Sequence, residues 1–428
     1  MLFEEGVLTV TEIMPRRKFA LKEDAINPNA IPLEEICLVA PGIWERDEVG
    51  PFMERLRSEA PVHWWEAEDG FGFWSLTRYE DIKAVDINHE VFSSEPIITV
   101  LDPQEDFPLP MFIAMDPPKH DDQRKVVGPT VGPSNLARLE STIRERVCNI
   151  LDSLPLLEEF NWVEKVSIEL TTQMLATLFD FPFEDRSKLT RWSDVATSNE
   201  DNGIFISEEE KRAELMECLQ YFTMLWQERK KTKGGFDFIS MLAHGEATQK
   251  MDPTEFLGNL ILLIVGGNDT TRNSISGGVY ALNKFPEEYE KLRSNPRLIP
   301  NMVSEIIRWQ TPLSYMRRTV LQETEIRGQK IQKGDRVLMW YASGNRDEAV
   351  FEDADRLIID RKNARQHLAF GFGIHRCMGN RLAEMQLRVL WEEIQNRFHF
   401  IEVLEEPERV RNSFVRGYSK LQVKVHGL

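Results

Sequence analysis

The ten residues FGFGIHRCMG, Phe370 to Gly379, decide the fold. Gly371 and Gly373 precede a lone cysteine, Cys377, and Gly379 follows it. An amphipathic helix then starts: Leu382, Met385, Leu387, Val389, Leu390 and Ile394 carry a helical apolar pattern to about Asn396. A cysteine at a helix N-terminus meets the positive end of the helix dipole, which favours thiolate. Thiolate is the form that ligates iron. Gly371 and Gly373 would let the backbone pass close to a flat macrocycle. Gly379 predicts a helix start packed on that macrocycle, and nearby backbone N–H groups can bond the sulfur. His375 has the reach to meet a carboxylate. A plain glycine turn before a helix, with a buried cysteine, is the alternative for the same residues.

The second informative stretch is FLGNLILLIVGGNDTTRNSISGGVYA, residues 256–281. Its first half is almost wholly apolar and predicts a buried helix from about Thr254 to Asn283, with Asp252-Pro253 as its start signal. Gly266-Gly267 weakens the helix locally, and Thr270 and Thr271 compete for backbone carbonyls. A buried acid such as Asp269 costs free energy unless partnered. Delivery of protons to dioxygen would give Asp269 and Thr270 a reason to be there. A glycine packing notch followed by ordinary polar residues is the alternative.

Working outward, Pro61–Trp65 and Gly72–Ser75 read as strands and Tyr79–Ile87 as a helix. Residues 101–118 are rich in proline yet greasy. From Ser134 to Lys231 the pattern is helical, and a further helix runs from about Pro300 to Gln310. Residues 313–341 turn strand-like, an irregular stretch spans Asn345–His367, and Leu421–Val425 is a closing strand. The balance is mainly α with small β regions in a single domain over residues 1–428, of which 1–40 form an irregular extension.

The chain of 428 residues is 42% hydrophobic and carries a net charge of −18, which disfavours nucleic-acid backbones. Its four cysteines form no CxxC pair, so a zinc or thioredoxin-like site is not expected. No secretory leader or membrane anchor is visible, which points to the cytoplasm and reduced thiols.

Phe370–Gly379 is similar at every fixed position to the haem-binding signature of the cytochrome P450 superfamily, Phe-x-x-Gly-x-x-x-Cys-x-Gly. Gly266–Thr271 resembles that family's Gly-Gly-x-Asp-Thr-Thr segment. The resemblance runs from about residue 45 to the end. It implies a triangular, helix-rich fold and a monooxygenase holding haem b, with Cys377 as the axial iron ligand. It further implies Phe370, Gly373 and Gly379 as cofactor contacts, Asp269 and Thr270 as catalytic, and His120, Arg124, Arg318 and His375 as propionate contacts. Glu305 and Arg308 match its structural Glu-x-x-Arg pair, with Arg356 as the third member; Ala354 stands where the family often has proline. Dioxygen is the implied co-substrate. Electrons come from NAD(P)H through a ferredoxin reductase and a ferredoxin, since no flavin or iron–sulfur segment is fused. Lys119, Lys125, Arg376 and Arg381 are expected as a basic docking patch.

The family fold places substrate against loops near residues 90–112, 180–210, 312–316 and 412–416. Here those loops supply Ile97, Ile98, Val100, Leu101 and Phe112, then Leu313, Met316, Phe414 and Val415. Leu262, Ile264, Val265 and Gly266 join them from the long helix. The implied substrate is small and apolar. LGNLILLIVGGNDTTRNS and HLAFGFGIHRCMGNRLAEMQLRVLWEEI resemble the soluble bacterial branch that hydroxylates the terminal carbon of medium-chain alkanes and fatty acids. A bulkier terpene or steroid substrate, or a non-catalytic haem-thiolate gas sensor, are the alternatives.

Overall fold

Asp252 sets the start of the longest helix. Its carboxylate accepts from the N–H groups of Thr254 and Glu255, both at 2.9 Å, and Pro253 takes the first helical position. The helix Pro253–Lys284 continues unbroken through Gly266-Gly267 and is buried on nearly every face. It packs against the helices Glu169–Phe179, Ser187–Thr197, Ile299–Gln310 and Asn380–Gln395. The computed structural model describes residues 27–198 and 207–428. Residues 1–26, which hold most of the expected extension and the stretch read as lacking an anchor, lie outside the described residues. So do residues 199–206, within the expected 180–210 loop.

The helical run expected over 134–231 is interrupted. The helix Pro133–Asp152 buries Leu136, Ile143, Val147, Ile150 and Leu151, and then Glu159–Asn161 becomes a strand. Pro155 cannot continue a helix, and the chain there pairs with the C-terminal strand Gln422–Gly427. That strand also pairs with Phe398–Val403, making a three-stranded sheet. Arg144 ties Pro133–Asp152 to the helix after the cysteine through Glu392 and Glu393, each at 2.6 Å.

A five-stranded sheet flanks the helices. Its order is Val62–Glu66, Gly72–Leu76, Arg336–Met339, Met316–Val320, Phe92–Ser93, and only the pairing of Gly72–Leu76 with Arg336–Met339 is parallel. Strand alternation sends Met316 and Arg318 to one face and Arg317 to the other. Residues 27–40 are irregular as expected, apart from two short 3-10 turns, but Ile36–Ala40 is no loose extension. All five residues are buried, and Ile36–Val39 join a cluster with Trp44, Phe73, Tyr315 and Trp340.

The helix Ile299–Gln310 holds the irregular stretch that leads to the cysteine loop. Arg308, wholly buried, pairs with Glu305 at 2.8 Å and donates to the carbonyls of Asn345, Ala354 and Arg356. The third arginine is not Arg356, as expected, but Arg361. Its Nε lies 3.0 Å from Glu305 Oε1, and its side chain is only 4% exposed. Arg356 offers only its carbonyl; its side chain is half exposed and pairs with Glu287. The turn around Asp353 directs the Arg356 side chain outward and brings Arg361 back onto the helix.

Candidate functional site

The cysteine loop forms because its glycines can take left-handed backbone. Gly371 and Gly373 have φ of +66° and +67°. A Cβ on Gly373 would meet the Asp86 carbonyl at 2.6 Å, so this glycine stands against the helix Tyr79–Ile87 rather than facing the cavity. The Cys377 N–H closes the loop on the Phe370 carbonyl at 2.7 Å. The sulfur then sits just before the helix Asn380–Gln395, capped at Gly379. A Cβ at Gly379 would meet nothing within 4 Å, which leaves open space on the cysteine side. Cys377 is open to the cavity; the protein packed around it pushes its thiol up, while the Gly379 N–H, Arg124 and Arg376 draw it down.

Cys377 opens into a cavity of about 790 Å³ walled by the long helix, the cysteine loop and the segment 95–115. Phe370, Met378 and Gly379 line it beside the sulfur. So do most of the expected pocket residues: Ile97, Ile98, Val100, Leu101, Phe112, Leu262, Val265, Gly266, Leu313, Met316 and Phe414. Ile264 and Val415, expected in the wall, are instead buried in the packing behind it. Phe107, Leu109, Met111 and Leu215 are among the other apolar residues of the lining. The prolines of the 103–110 loop announced a loop, but its periodicity gave no sign of which side chains turn inward.

Three donors on the cavity wall, Arg124, Arg318 and His375, match a group with two carboxylates, while the expected His120 lies against His375 and not on the wall itself. His375 is buried with neither ring nitrogen hydrogen-bonded, and the buried His120 Nε2 also lacks a protein partner. Their rings lie 4.2 Å apart. His120 Nδ1 meets Asp121 at 2.7 Å, which fixes the ring and leaves Nε2 facing away. Burial, followed by Arg318, His120 and Arg124, depresses His375 far below the ordinary imidazole range. Arg124 and Arg318 line the same cavity. Unpartnered buried donors cost stability unless a ligand accepts from them. A haem with its two propionates fits this set, with the thiol sulfur on the same cavity wall.

Arg318 is better anchored than expected. It pairs with buried Asp86 at 2.7 Å, and the other Asp86 oxygen accepts from Tyr341 Oη and the Phe372 N–H, at 2.9 and 2.7 Å. Asp86 thus ties a sheet strand to the cysteine loop. Sequence reading missed it, since nothing local to Tyr79–Ile87 announces partners more than 200 residues away.

Thr270 lines the cavity, with its hydroxyl donating to the Gly266 carbonyl at 2.8 Å. Asp269 does not line it. It is fully buried on the opposite side, 2.9 Å from Arg272, which also holds Asp194 at 2.7 Å. Burial raises the Asp269 carboxyl, Arg272 opposes that, and Asp194 adds to it. All four residues of the expected basic patch, Lys119, Lys125, Arg376 and Arg381, are exposed, and Lys119 also pairs with Glu255 at 2.9 Å and borders the cavity.

The cytochrome P450 family model matches residues 72–425. The chain belongs to the cytochrome P450 family. It is a P450 monooxygenase by membership, with the family's haem-thiolate iron as its implied cofactor and the fold its neighbours share. A solved structure, cytochrome P450-153 from Novosphingobium aromaticivorans, is 46% identical, with 91% of this chain and 99% of that one covered and a TM-score of 0.84. The linalool 8-monooxygenase of Pseudomonas putida is 36% identical over 91% of this chain and 99% of its own. The methyl-branched lipid omega-hydroxylase of Mycobacterium tuberculosis is 31% identical over 94% and 98%. Among the described residues, no helix of this P450 is long and apolar enough to cross a membrane.

Proposed function

We propose that this P450 hydroxylates the terminal carbon of medium-chain alkanes or related aliphatic chains such as fatty acids. The observation that carries the reading is the cavity wall: apolar side chains from the 97–112 segment, the long helix and the 312–316 loop converge on the side of Cys377. Primary C–H bonds are stronger than their secondary neighbours, so terminal attack requires the chain to be held end-on. Ile97, Ile98, Val100, Leu101, Leu262, Val265, Leu313, Met316 and Phe414 would provide that grip by shape, with Gly266 leaving room beside Thr270. The omega-hydroxylase among the relatives supports the same regiochemistry.

Cys377 would ligate the iron, and His120, Arg124, Arg318 and His375 would hold the propionates. Haem bound in this way supplies activation of dioxygen. Thr270 would present a hydroxyl oxygen at the cavity wall, and Asp269, buried on the other side of the helix, would pass protons from the Arg272–Asp194 side. Electrons would reach the site from NAD(P)H through a ferredoxin reductase and a ferredoxin, in the cytoplasm.

The test is product analysis from octane with surrogate redox proteins, for which 1-octanol is the expected main product. Mixed 2- and 3-octanol would overturn terminal specificity. The linalool relative favours a second reading, a terpene alcohol substrate. Spin-state titration with octane, dodecanoic acid and linalool separates the two, since the tightest binder names the class. Cys377→Ser should abolish the red-shifted absorption of the reduced, carbon-monoxide-treated protein; its retention would remove Cys377 as ligand.

A further inference from the structure

The segment that supplies four of the expected pocket residues, Ile97 to Leu101, has little secondary structure of its own. Its shape is imposed by the adjoining sheet. The Arg317 N–H donates to the Ile98 carbonyl at 2.8 Å. The Arg317 guanidinium, on the strand face turned away from the cavity, reaches the Val100 carbonyl at 3.2 Å and Asp102 Oδ1 at 2.8 Å. Arg336, on the neighbouring strand, takes Asp102 Oδ2. The Val100 N–H donates to Tyr315 Oη at 3.3 Å, and the Tyr315 ring packs on Trp340 and Phe414. The loop is therefore gripped at Ile98, Val100 and Asp102, while the side chains between and beside those points face the cavity.

The two ends of the grip differ in character. The Arg317 side chain is 3% exposed, whereas Asp102 is 48% exposed. Arg317 makes both side-chain contacts through Nη1, at the far end of a side chain longer than lysine's, so a lysine would fall short of holding carbonyl and carboxylate together. The strand register places Met316 and Arg318, both in the cavity wall, on either side of Arg317. One residue thus couples the loop to the strand that forms the adjacent wall. Small displacements of a positioned chain carry large rate penalties, so a loop free to shift would let a chain slide past its end-on pose.

We propose that Arg317, Asp102 and Arg336 form a specificity clamp that holds Ile97–Leu101 in the register needed for terminal attack. These are positioning residues: Arg317 and Arg336 lie off the cavity, and Asp102 borders it with its carboxylate held by both arginines. The clamp rests on the terminal-hydroxylation reading, and its test has one arm that does not.

Asp102→Asn, Arg317→Lys and the more exposed Arg336→Gln are compared with wild type. In the first arm, amide hydrogen exchange of the peptide covering 97–102 is followed by mass spectrometry on the haem-loaded enzyme. The expected result is several-fold faster exchange in the variants, with the long helix unchanged. In the second arm, alcohols from octane are quantified at equal content of carbon-monoxide-reactive haem. The expected result is a several-fold fall in the ratio of 1-octanol to 2-octanol. Unchanged exchange overturns the clamp. Faster exchange with an unchanged alcohol ratio overturns its role in specificity. A wild type that makes mainly internal alcohols overturns the parent reading instead, and the exchange arm still decides whether the loop is clamped.

Discussion

Thr270 spends its one donor on the Gly266 carbonyl, so what it offers the cavity is a pair of oxygen lone pairs. That arrangement suits holding a proton donor at the wall, a task serine also performs and alanine cannot. Thr270→Ala is expected to lower product formed per NADH consumed and to release hydrogen peroxide, whereas Thr270→Ser keeps most of the coupling. Peroxide and product assays in the reconstituted system check this, and coupling unchanged in the alanine variant removes Thr270 from proton delivery. A sharper contrast exists between two arginines five positions apart. Removing Arg361 leaves Glu305 with one of its two buried cations, and breaking a buried pair costs about 3–5 kcal/mol. Arg356 is half exposed and its ion pair contributes about 1 kcal/mol or less. Chemical denaturation of Arg361→Ala and Arg356→Ala should separate by several-fold in destabilisation, and equal values would return Arg356 to the triad.

At the scale of elements, the helix cap at Asp252 gives a pH-dependent handle. The Thr254 hydroxyl, the Glu255 N–H and the Thr254 N–H hold this carboxyl below its ordinary range, against a smaller effect of burial. A carboxyl held low when folded binds its proton less readily than in the unfolded chain. Its stabilisation is therefore whole above the unfolded value of about 4 and is lost as pH falls below it. Asp252→Ala should cost about 0.5–2 kcal/mol at neutral pH, with the gap from wild type closing in acid. A gap that stays constant from pH 7 to pH 3 would show that the cap is not what titrates. The same element shows why some features were legible. Asp252-Pro253 announces a helix start by local chemistry, and Tyr79–Ile87 and Asn380–Gln395 fall where their apolar periods place them. Cys377 was legible because its motif is local too, whereas the cavity residues followed only from which loops the resemblance sets around the pocket, and Ile264 and Val415 fell outside it. What the sequence hid is long-range: the parallel pairing of Gly72–Leu76 with Arg336–Met339, Asp86 joined to Arg318, and Arg361 in place of Arg356. Each depends on where the chain returns, which no window of neighbouring residues encodes.

Charge distribution matters only for the whole molecule. A net charge of −18 opposes an acidic partner at a distance, so docking of a ferredoxin needs a local exception. The outer side of the cysteine loop supplies one. Lys83, Arg365 and Arg376 surround a small hollow walled by Tyr79, His367, Phe370 and Phe372, where cations outnumber the two acids Glu80 and Glu384, and Lys83 lies 5.4 Å from the Phe372 ring centre. Arg381 is exposed at the start of the helix after the cysteine. Exposed charges of this kind act on encounter more than on the strength of the final complex, and they are screened over about 8 Å at physiological salt. Arg365→Glu lies off the cavity that holds Cys377, so turnover at saturating ferredoxin should persist while the KM for ferredoxin rises several-fold. The rise should shrink as salt is added, because screening removes the attraction in wild type and the repulsion in the variant alike. Steady-state reduction rates across a salt series test this, and a KM that is unmoved by the charge reversal at low salt places the encounter on another face.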